Sequence, residues 1–483
     1  MNNYTVLFSK YSNKFHSIIS KSLLKEDYET ALQGINGLTR VCYEWNQFYV
    51  DKEIEESILK IAEVFKNKKY NSQTNDNIQS ILFYDSFGLD HRGLAAIYLK
   101  GLARLGLRII YVTDKSAEGK QPLIRQILDG VDYEVRYVDR NNSYMSVIDA
   151  ICCIFHEFAP NIAFEYNSPW DVEGFVAFSS FINVKRYKIN LTDHTFWAGV
   201  NSFDYCIEFR DYGANISEQF RGVDHDRLIK LPFYPYINKS VAFQGFDFDT
   251  KGKKVIFSGG ALYKTHGEGN IYYHIVEEIL KYDDNSIFVY AGKGKGDSSK
   301  LEELSSKFSG RVFHIDERKD LLGVLENSYL YLSTYPIIGG LMSQYAAVAG
   351  KLPITLKRKS DNKDVLIDEE RIGNLFFDSE ELIEDVKRLL DDPKYKESKE
   401  QKLKNSVITE LEFEHELENV VINNKTKYNI NSMSIDTTDF LKSYVNRFGF
   451  NELVSFTLKR NIKLVKYFPK AFYIKALSKL KRK

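Results

Sequence analysis

The sequence predicts an α/β protein with two Rossmann-like domains in tandem, a helical N-terminal extension and C-terminal helices. Its 483 residues exceed the ~250–300 residues at which a single hydrophobic core stops growing. From residue 78 onward, short apolar strand-like runs alternate with helical segments, which is typical of parallel sheets with right-handed crossovers. A polar, glycine-bearing stretch at 236–253 divides this alternation into two series. Two domains of the same general type are therefore expected.

The predicted elements follow the chain in order. Residues 1–77 show helical apolar spacing at Tyr28–Trp45 and Ile54–Phe65, without strand alternation. The first α/β series has predicted strands at 80–84, 108–112, 133–138, 162–166, 187–191, 205–208 and 228–231. The second series has predicted strands at 254–258, 287–291, 312–315, 329–333 and 352–356, and helices at 270–281, 298–308 and 319–327. The predicted boundaries are 1–77 for the helical extension, 78–247 and 252–425 for the two domains, and 426–483 for the C-terminal helices.

The C-terminal segment differs from the rest of the chain in charge. Residues 453–483 carry ten Lys or Arg and no Asp or Glu, so the net charge of zero leaves −10 on the other 452 residues. Apolar residues share one helical face of this segment, at Tyr473, Leu477 and Leu480, and more precede Pro469, at Leu464, Val465 and Phe468. Basic amphipathic helices with aromatic residues lie on anionic membranes. We therefore expect residues 459–483 to bind a membrane surface, with a solvated helix or a nucleic-acid tail as the alternatives.

Composition disfavours several classes of protein. The N-terminus has no apolar segment typical of a secretory signal, and no run approaches the ~18 apolar residues of a membrane-spanning helix. The four cysteines have no metal-ligand spacing. The acidic remainder of the chain argues against binding of nucleic acid. We therefore expect a reduced, cytoplasmic protein that is peripheral on the inner face of the cell membrane and holds no metal.

Glycine and lysine recur where the predicted strands of the second domain end. Four loops follow such strands, at Gly259–Gly269, Ala291–Asp297, His314–Asp320 and the Gly339-Gly340 turn. Glycines let the backbone approach a phosphate, Lys264 supplies a mobile positive charge, and free N–H groups at a helix start bind anions. Each loop alone also fits an ordinary turn. Because the carboxyl ends of parallel strands share one edge, their common position favours a single site for a nucleotide diphosphate.

The segment Gly340–Pro353 resembles the G-L-x-x-x-E-A-x-A-x-G-x-P signature of GT-B glycosyltransferases of the family 4 type. Gly340, Leu341, Ala346 and Gly350 match it in register, and Pro353 follows. The resemblance covers roughly residues 78–425. It implies a metal-independent transferase that needs no cofactor, with a nucleotide-sugar donor, UDP-sugar foremost, held mainly by the second domain and an acceptor held mainly by the first.

The resemblance also suggests roles for individual residues. Lys264 is similar in position to the basic residue on the donor diphosphate, and Gly339 to Leu341 to the backbone that meets the phosphates. Tyr345 stands where the signature has its Glu, with Gln344 beside it. The predicted donor-binding residues are Gly259, Gly260, Lys264, Thr265, Gly292, Gly294, Arg318, Gly339, Gly340, Leu341, Gln344 and Tyr345.

Loops of the first domain contain the candidates for acceptor binding and proton transfer. Asp193 and His194 follow the predicted strand at 187–191, and a carboxylate beside a histidine can orient it and keep it basic. A helix-capping Asp beside a structural His is the alternative. His91 is the second catalytic candidate, and the predicted acceptor-binding residues are Asp90, Arg92, Trp170 and Asp171.

These observations predict a glycosyltransferase that moves a hexose-type sugar from a nucleotide diphosphate to a hydroxyl of a lipid-linked or polysaccharide acceptor in cell-surface glycan synthesis. Three alternatives remain open at this point. A protein-directed glycosyltransferase could use the helices of residues 1–77 to bind a polypeptide, although packing of these helices on the first domain is the better expectation. A nucleotide-sugar 2-epimerase and a non-catalytic partner subunit are the other two.

Overall fold

The computed structural model describes residues 3–70, 79–90, 94–237, 241–292, 298–358, 363–437, 450–458 and 460–480. The chain divides into two compact units. Unit 1 consists of Met1–Leu231 together with Leu411–Lys483, and unit 2 is Pro232–Glu410. Both units are built on a parallel β-sheet covered by helices, so the α/β fold predicted from the alternation of strands and helices is confirmed.

Unit 1 contains a seven-stranded sheet in the order β3-β2-β1-β4-β5-β6-β7. Its strands are β1 Ser80–Asp85, β2 Arg108–Asp114, β3 Tyr133–Val138, β4 Ile162–Tyr166, β5 Lys185–Asn190, β6 Tyr205–Glu208 and β7 Leu228–Lys230. Its helices up to this point are α1 Asn3–Leu24, α2 Tyr28–Trp45, α3 Lys52–Lys66, α4 Ala95–Ala103, α5 Pro122–Leu128, α6 Tyr144–Phe158, α7 Val172–Ser180 and α8 Asp211–Arg221. All seven strands predicted for the first series are present. The strand order reverses between β1 and β4, the point at which open parallel sheets bind ligands.

Unit 2 contains a six-stranded sheet in the order β10-β9-β8-β11-β12-β13. Its strands are β8 Lys254–Gly259, β9 Ser286–Ala291, β10 Val312–Ile315, β11 Leu330–Leu332, β12 Pro353–Leu356 and β13 Leu375–Phe376. Its helices are α9 Ile271–Tyr282, α10 Ser299–Lys307, α11 Leu321–Glu326, α12 Gly340–Val348, α13 Glu369–Ile372, α14 Ser379–Asp391 and α15 Pro393–Gln401. Strand β13 was not predicted, because two residues are too few to show a period.

The N-terminal helices belong to the core of unit 1. Buried side chains of α1 and α2, such as Phe15 and Leu32, form one apolar cluster with the sheet residue Leu82 and with Phe175 of α7. Residues 1–77 therefore do not form a separate extension. Helix α2 packs on the α/β domain as expected, because its apolar face is covered by the same cluster.

Two predicted boundaries differ from the structural division. The stretch expected to be a linker packs within unit 2, where the ring of Phe248 stacks on that of Phe313 with centroids 3.6 Å apart. Residues 411–425, expected in the second domain, lie in unit 1. The reason is helix α16 (Glu410–Asn423), whose buried Phe413 packs edge-on against Tyr98 of α4. The sequence pattern gives the apolar face of a helix and not the surface that covers it.

The C-terminal segment forms helices α17 (Phe450–Thr457) and α18 (Pro469–Leu480) and returns to unit 1. Pro469 is the first residue of helix α18, a position at which the fixed φ of proline suits a helix. Leu464 and Phe468 were expected to add to a membrane-facing surface, but both are buried, and Phe468 packs on Phe15 with ring centroids 4.7 Å apart. The side chain of Asn461 is also buried and donates to Asn36 Oδ1 over 3.0 Å. The part of the C-terminal segment that directly precedes α18 is therefore packed into unit 1.

None of the helices in the described parts of the chain combines the length and the apolar character needed to cross a bilayer.

Candidate functional site

The carboxyl edge of the unit 2 sheet is formed by glycine turns in close contact. Gly260 follows β8 and Gly292 follows β9, and a Cβ atom on Gly292 would lie 2.1 Å from the carbonyl oxygen of Gly260. Gly292 also has a φ of +155°, near the limit of the region that favours glycine. The Gly260 N–H donates to Ala291 O over 3.0 Å, and the hydroxyl of Tyr290 donates to Gly260 O over 3.1 Å. No side chain larger than hydrogen fits at Gly292, so the two glycine turns pack backbone against backbone at this edge.

Lys264 lies in the 3-10 turn Leu262–Thr265 that follows this glycine pair. Its side chain passes beside Gly260, where an added Cβ would lie 3.7 Å from Lys264 Cδ. Burial lowers the pKa of the Lys264 ammonium group below its ordinary value, and no described residue forms an ion pair with it. A partly buried ammonium group without a counter-charge is costly in an empty site and favourable once an anion binds.

The start of helix α12 forms the next part of this edge. Gly339 occupies its N-cap position without a side-chain hydrogen bond, and the Gly339 carbonyl accepts from the N–H of Ser343 over 3.0 Å. The N–H groups of the first turn therefore have no side-chain cap, and the positive end of the helix dipole lies at the same place. The hydroxyl oxygen of Ser343 is buried and has no hydrogen-bond partner among the described residues. This helix start can accept an anion.

All four predicted donor loops make contact with one another. In the loop at His314–Asp320, Ile315 O accepts from the N–H of Gly292 over 3.1 Å, and His314 Nε2 lies 2.9 Å from Gly292 O. The N–H of Ile337 donates to Lys264 O over 3.3 Å, and a Cβ on Gly267 would lie 2.9 Å from Pro336 Cδ. A Cβ on Gly259 would lie 3.4 Å from the terminal methyl group of Met342 in α12. The backbone of the β8 loop, Lys264 and the start of α12 are thus held within one surface of unit 2. Gly294 of the β9 loop lies outside the described residues.

Other predicted donor residues are engaged in the fold. Arg318 makes a bidentate pair with Asp320, at 2.7 and 2.6 Å, and donates to Gly245 O. The hydroxyl of Thr265 is buried against that of Tyr273, 2.7 Å away. Because their polar groups are hydrogen-bonded within unit 2, Arg318 and Thr265 stabilise the conformation of these loops.

The helix α12 residues beside the signature position also have partners. The hydroxyl of Tyr345 donates to the carbonyl oxygen of Tyr236 over 2.7 Å, so Tyr345 fastens the segment that enters unit 2. Gln344 donates to Val365 O over 3.2 Å, while its Oε1 atom is buried without a partner among the described residues. Leu341 is exposed at the first turn of the helix. Tyr345 thus replaces the signature Glu with a residue that makes a structural contact.

In unit 1, Asp193 and His194 lie directly beyond the carboxyl end of β5. His194 Nδ1 is 3.2 Å from Asp193 Oδ1, and the imidazole is one-third exposed. Asp193 is buried, which by itself would raise its pKa, but Arg210 at 2.9 Å and the bond to His194 hold the pKa well below its usual value. An ionised carboxylate on Nδ1 favours the tautomer whose Nε2 accepts a proton. The structure therefore brings the two predicted residues into hydrogen-bonding contact.

Two further contacts hold this loop. Arg221 donates from Nη2 to the carbonyl oxygens of Asp193 and Thr195, both over 2.7 Å. Asn46, at the end of α2, accepts from the N–H of Phe196 over 2.7 Å and donates to the carbonyl oxygen of His194 over 3.4 Å. An N-terminal helix therefore positions a loop after β5, a role that sequence analysis did not assign to it.

The remaining candidates in unit 1 are mostly structural. Asp90 accepts from the N–H of Ile124 over 3.1 Å in the first turn of α5. Asp171 is buried, caps α7 through the N–H of Gly174 and binds Arg140 over 2.7 Å. The Asp171 carboxylate is therefore not presented to solvent as an acceptor ligand, whereas Asp90 is partly exposed. His91 and Arg92 lie outside the described residues.

Trp170 is the exception. Its ring is only partly buried and carries the guanidinium of Arg40 on its face, 3.8 Å from the ring centroid. Tyr43 packs edge-on against the same ring, with centroids 4.8 Å apart. Arg40 escaped sequence analysis because it lies in a helix about 130 residues before Trp170, and no local pattern connects the two.

No group of three or more His, Cys, Asp or Glu side chains that could hold a metal ion occurs in the described parts of the chain, and metal independence stays a prediction.

No protein-family model and no curated protein matches the sequence. Solved structures do match. One is a mutant of the Thermobaculum terrenum O-GlcNAc transferase, with 15% identity, a TM-score of 0.51, and 84% of this chain and 79% of that one covered. Another is a glycosyltransferase from Rickettsia africae, with 10% identity, a TM-score of 0.51 and coverage of 72% and 100%. A third is the apo form of the lipopolysaccharide outer core galactosyltransferase WaaB, with 11% identity, a TM-score of 0.50 and coverage of 72% and 100%.

The chain has the GT-B fold. At these identities the likeness concerns the fold alone, since one fold can serve several chemistries.

Proposed function

We propose that this protein is a glycosyltransferase that moves a sugar from a nucleotide-diphosphate donor, foremost a UDP-sugar, to a hydroxyl group of a lipid-linked or polysaccharide acceptor. The observation that carries the proposal is the partly buried Lys264, which has no ion-pair partner in the described parts of the chain and lies beside the Gly260–Gly292 contact and the uncapped start of α12. Backbone N–H groups, a helix dipole and one ammonium group are the means by which α/β domains hold a diphosphate. The GT-B fold, shared with three glycosyltransferases of known structure, agrees with this chemistry.

His194 is the proposed general base. With Nδ1 donating to Asp193, its Nε2 atom would take the proton from the acceptor hydroxyl as that oxygen attacks the sugar. The diphosphate leaves with its negative charge held by Lys264 and the α12 N–H groups. In this reaction the acceptor oxygen forms a bond to the anomeric carbon, and the bond from that carbon to the phosphate oxygen breaks.

We also propose that the protein binds the inner surface of the cell membrane through its C-terminal segment. Apolar side chains are exposed there on Ile462, Phe472, Tyr473 and Leu477. The lysines Lys463, Lys466 and Lys470 are exposed beside them. Aromatic and aliphatic groups interleaved with lysines suit the headgroup region of an anionic bilayer. The buried part of the tail fixes this surface on unit 1, which would bring the enzyme to a lipid-linked acceptor.

The experiment that tests the proposed function is a binding and turnover screen of the purified chain against nucleotide diphosphates and their sugars. Saturable binding of one nucleotide, followed by its release in the presence of an acceptor extract and transfer of label to the acceptor, is expected. Interconversion of the sugar without release of nucleotide would show an epimerase instead. Absence of binding to every nucleotide would contradict any donor site in unit 2.

A further inference from the structure

Helix α2 runs along the carboxyl edge of the unit 1 sheet. Near its middle, Asn36 Nδ2 donates to the carbonyl oxygen of Trp170, in the loop after β4, over 3.0 Å. At its end, Asn46 bonds to the loop after β5 that carries His194. Both loops begin where strands end, so the helix borders the surface on which parallel sheets bind their ligands.

Arg40 lies between these two anchors. Its guanidinium stacks on the face of Trp170, and no described residue hydrogen-bonds or ion-pairs with it. The side chain is partly buried. Burial lowers the pKa of Arg40 below its ordinary value, although the charge of Glu44, one turn further along α2, acts in the opposite direction. The guanidinium group is thus partly removed from water and packs on an aromatic ring. No described acidic side chain forms a hydrogen bond with it.

The N–H donors of this rigid, permanently charged guanidinium group therefore have no hydrogen-bond partner among the residues that the structure describes. A guanidinium group can donate two parallel hydrogen bonds to a carboxylate or a phosphate, and stacking on an aromatic ring fixes the orientation of its plane. An oxyanion at this position would satisfy the donors and supply the missing charge.

We propose that Arg40, held flat by Trp170, is a subsite for an anionic group of the acceptor, either a phosphate or the carboxylate of an acidic sugar. The proposal rests on the function proposed above, because it assigns the acceptor side of that reaction. Arg40 precedes Asn46 by six residues, which is about 9 Å along a helix axis. The anionic group would therefore bind within about 10 Å of the loop of His194, next to the part of the acceptor that reacts.

The test uses the full-length protein with 5-fluorotryptophan, which gives one ¹⁹F signal for each of its three tryptophans. Trp45 and Trp197 are buried and act as internal references, and Trp170→Phe assigns the remaining signal. Sodium phosphate, sodium glucuronate, sodium chloride and glucose are titrated at constant ionic strength. The variants are Arg40→Gln, Arg40→Lys and, as a matched loss of one exposed charge on α3, Lys60→Gln.

We expect the Trp170 signal to shift saturably with phosphate or glucuronate and not with chloride or glucose. Arg40→Gln should weaken this binding about tenfold or more, Arg40→Lys should weaken it less, and Lys60→Gln should not change it. A response to phosphate alone indicates a phosphorylated acceptor, and a response to glucuronate alone an acidic sugar. A shift that persists in Arg40→Gln, or no saturable shift, overturns the subsite.

A UDP titration of the same samples separates this proposal from the function on which it rests. UDP binding that is equal in wild type and Arg40→Gln, with no anion response at Trp170, would refute the subsite and leave the donor site standing. Failure of UDP to bind wild-type protein would refute the donor site, whatever the Trp170 signal does.

Discussion

Replacing Lys264 with methionine should lower the affinity for the donor without lowering the stability of the ligand-free protein. The ammonium group is partly buried beside Gly260, burial lowers its pKa, and no described residue forms an ion pair with it. Methionine has a similar length and no charge, so the free energy of unfolding of the ligand-free protein should be unchanged or higher by up to about 1 kcal/mol. If Lys264 instead stabilised the ligand-free fold, its replacement with methionine would lower the free energy of unfolding.

The same substitution should remove a charge-assisted hydrogen bond to the donor diphosphate. Such a bond contributes about 1.5–3 kcal/mol, which corresponds to about 10- to 150-fold in affinity for UDP. The assay is isothermal titration with UDP together with urea denaturation of the ligand-free protein. Lys394→Met, on the exposed side of α15, is the matched control and should change neither quantity. Unchanged UDP affinity in Lys264→Met, or a clear loss of stability, would refute the reasoning.

Four further predictions follow from the structure. His194→Ala should lower turnover by about 10²–10⁴-fold with little change in UDP affinity, because it removes the proposed base; kinetics and titration test this. Gly292→Ala should destabilise the protein by about 1–3 kcal/mol in urea, because its Cβ would overlap the carbonyl oxygen of the preceding glycine turn. Burial raises the pKa of Glu55 to about 7 in the folded protein, so the folded state binds the extra proton and stability should fall between about pH 4.5 and 7 by on the order of 3 kcal/mol. Replacing Phe472 and Tyr473 together by serine should release the protein from liposomes that contain anionic lipid, in a flotation assay.

Each of these predictions has a control. Full activity of His194→Ala would remove the imidazole from the mechanism. Gly310→Ala, at a φ of +73° with no atom within 4 Å of the added Cβ, measures the backbone cost alone, and an equal loss at Gly292 would contradict the proposed overlap. Glu55→Gln should flatten the pH profile of stability between pH 4.5 and 7, and an unchanged slope would assign it to other groups. Ile182→Ser removes an exposed apolar side chain elsewhere on unit 1 and should leave liposome binding intact.

Serine substitutions are preferable to deletion of residues 459–483. Leu464, Phe468 and Ala471 are buried in the core of unit 1, so deletion would expose apolar surface and obscure any effect on membrane binding. Phe472 and Tyr473 are at least half exposed, and their removal leaves the core unchanged.

Apart from the two-residue strand β13, the strands of both sheets could be predicted from the sequence because each is a local apolar run bounded by turn residues. The same holds for Gly260, Gly292 and the start of α12, since glycine after a strand has a direct conformational meaning. The loops that α2 contacts and the position of the C-terminal segment could not be predicted in this way. Their partners are distant in the chain, and amphipathic spacing indicates that a face is buried without indicating what buries it.

The individual site residues also depend on tertiary contacts that the sequence pattern does not show. Arg318 and Tyr345 occupy positions expected to contact the donor, yet their polar groups bond to Asp320 and to Tyr236 O. Arg40, which had no motif around it, emerges only from its ring contact with Trp170. Residue type and loop position predict which backbone segments form the edge of a sheet. Whether a side chain can bind a ligand there depends on the tertiary contacts that it already makes.

The most direct test of the account is a crystal structure of the protein with UDP bound. We predict that the diphosphate binds in unit 2, within hydrogen-bonding distance of Lys264 Nζ and of the N–H groups at the start of α12, over the contact between Gly260 and Gly292. A diphosphate bound away from Lys264 and α12, or crystals soaked at saturating UDP that show no nucleotide in unit 2, would contradict it.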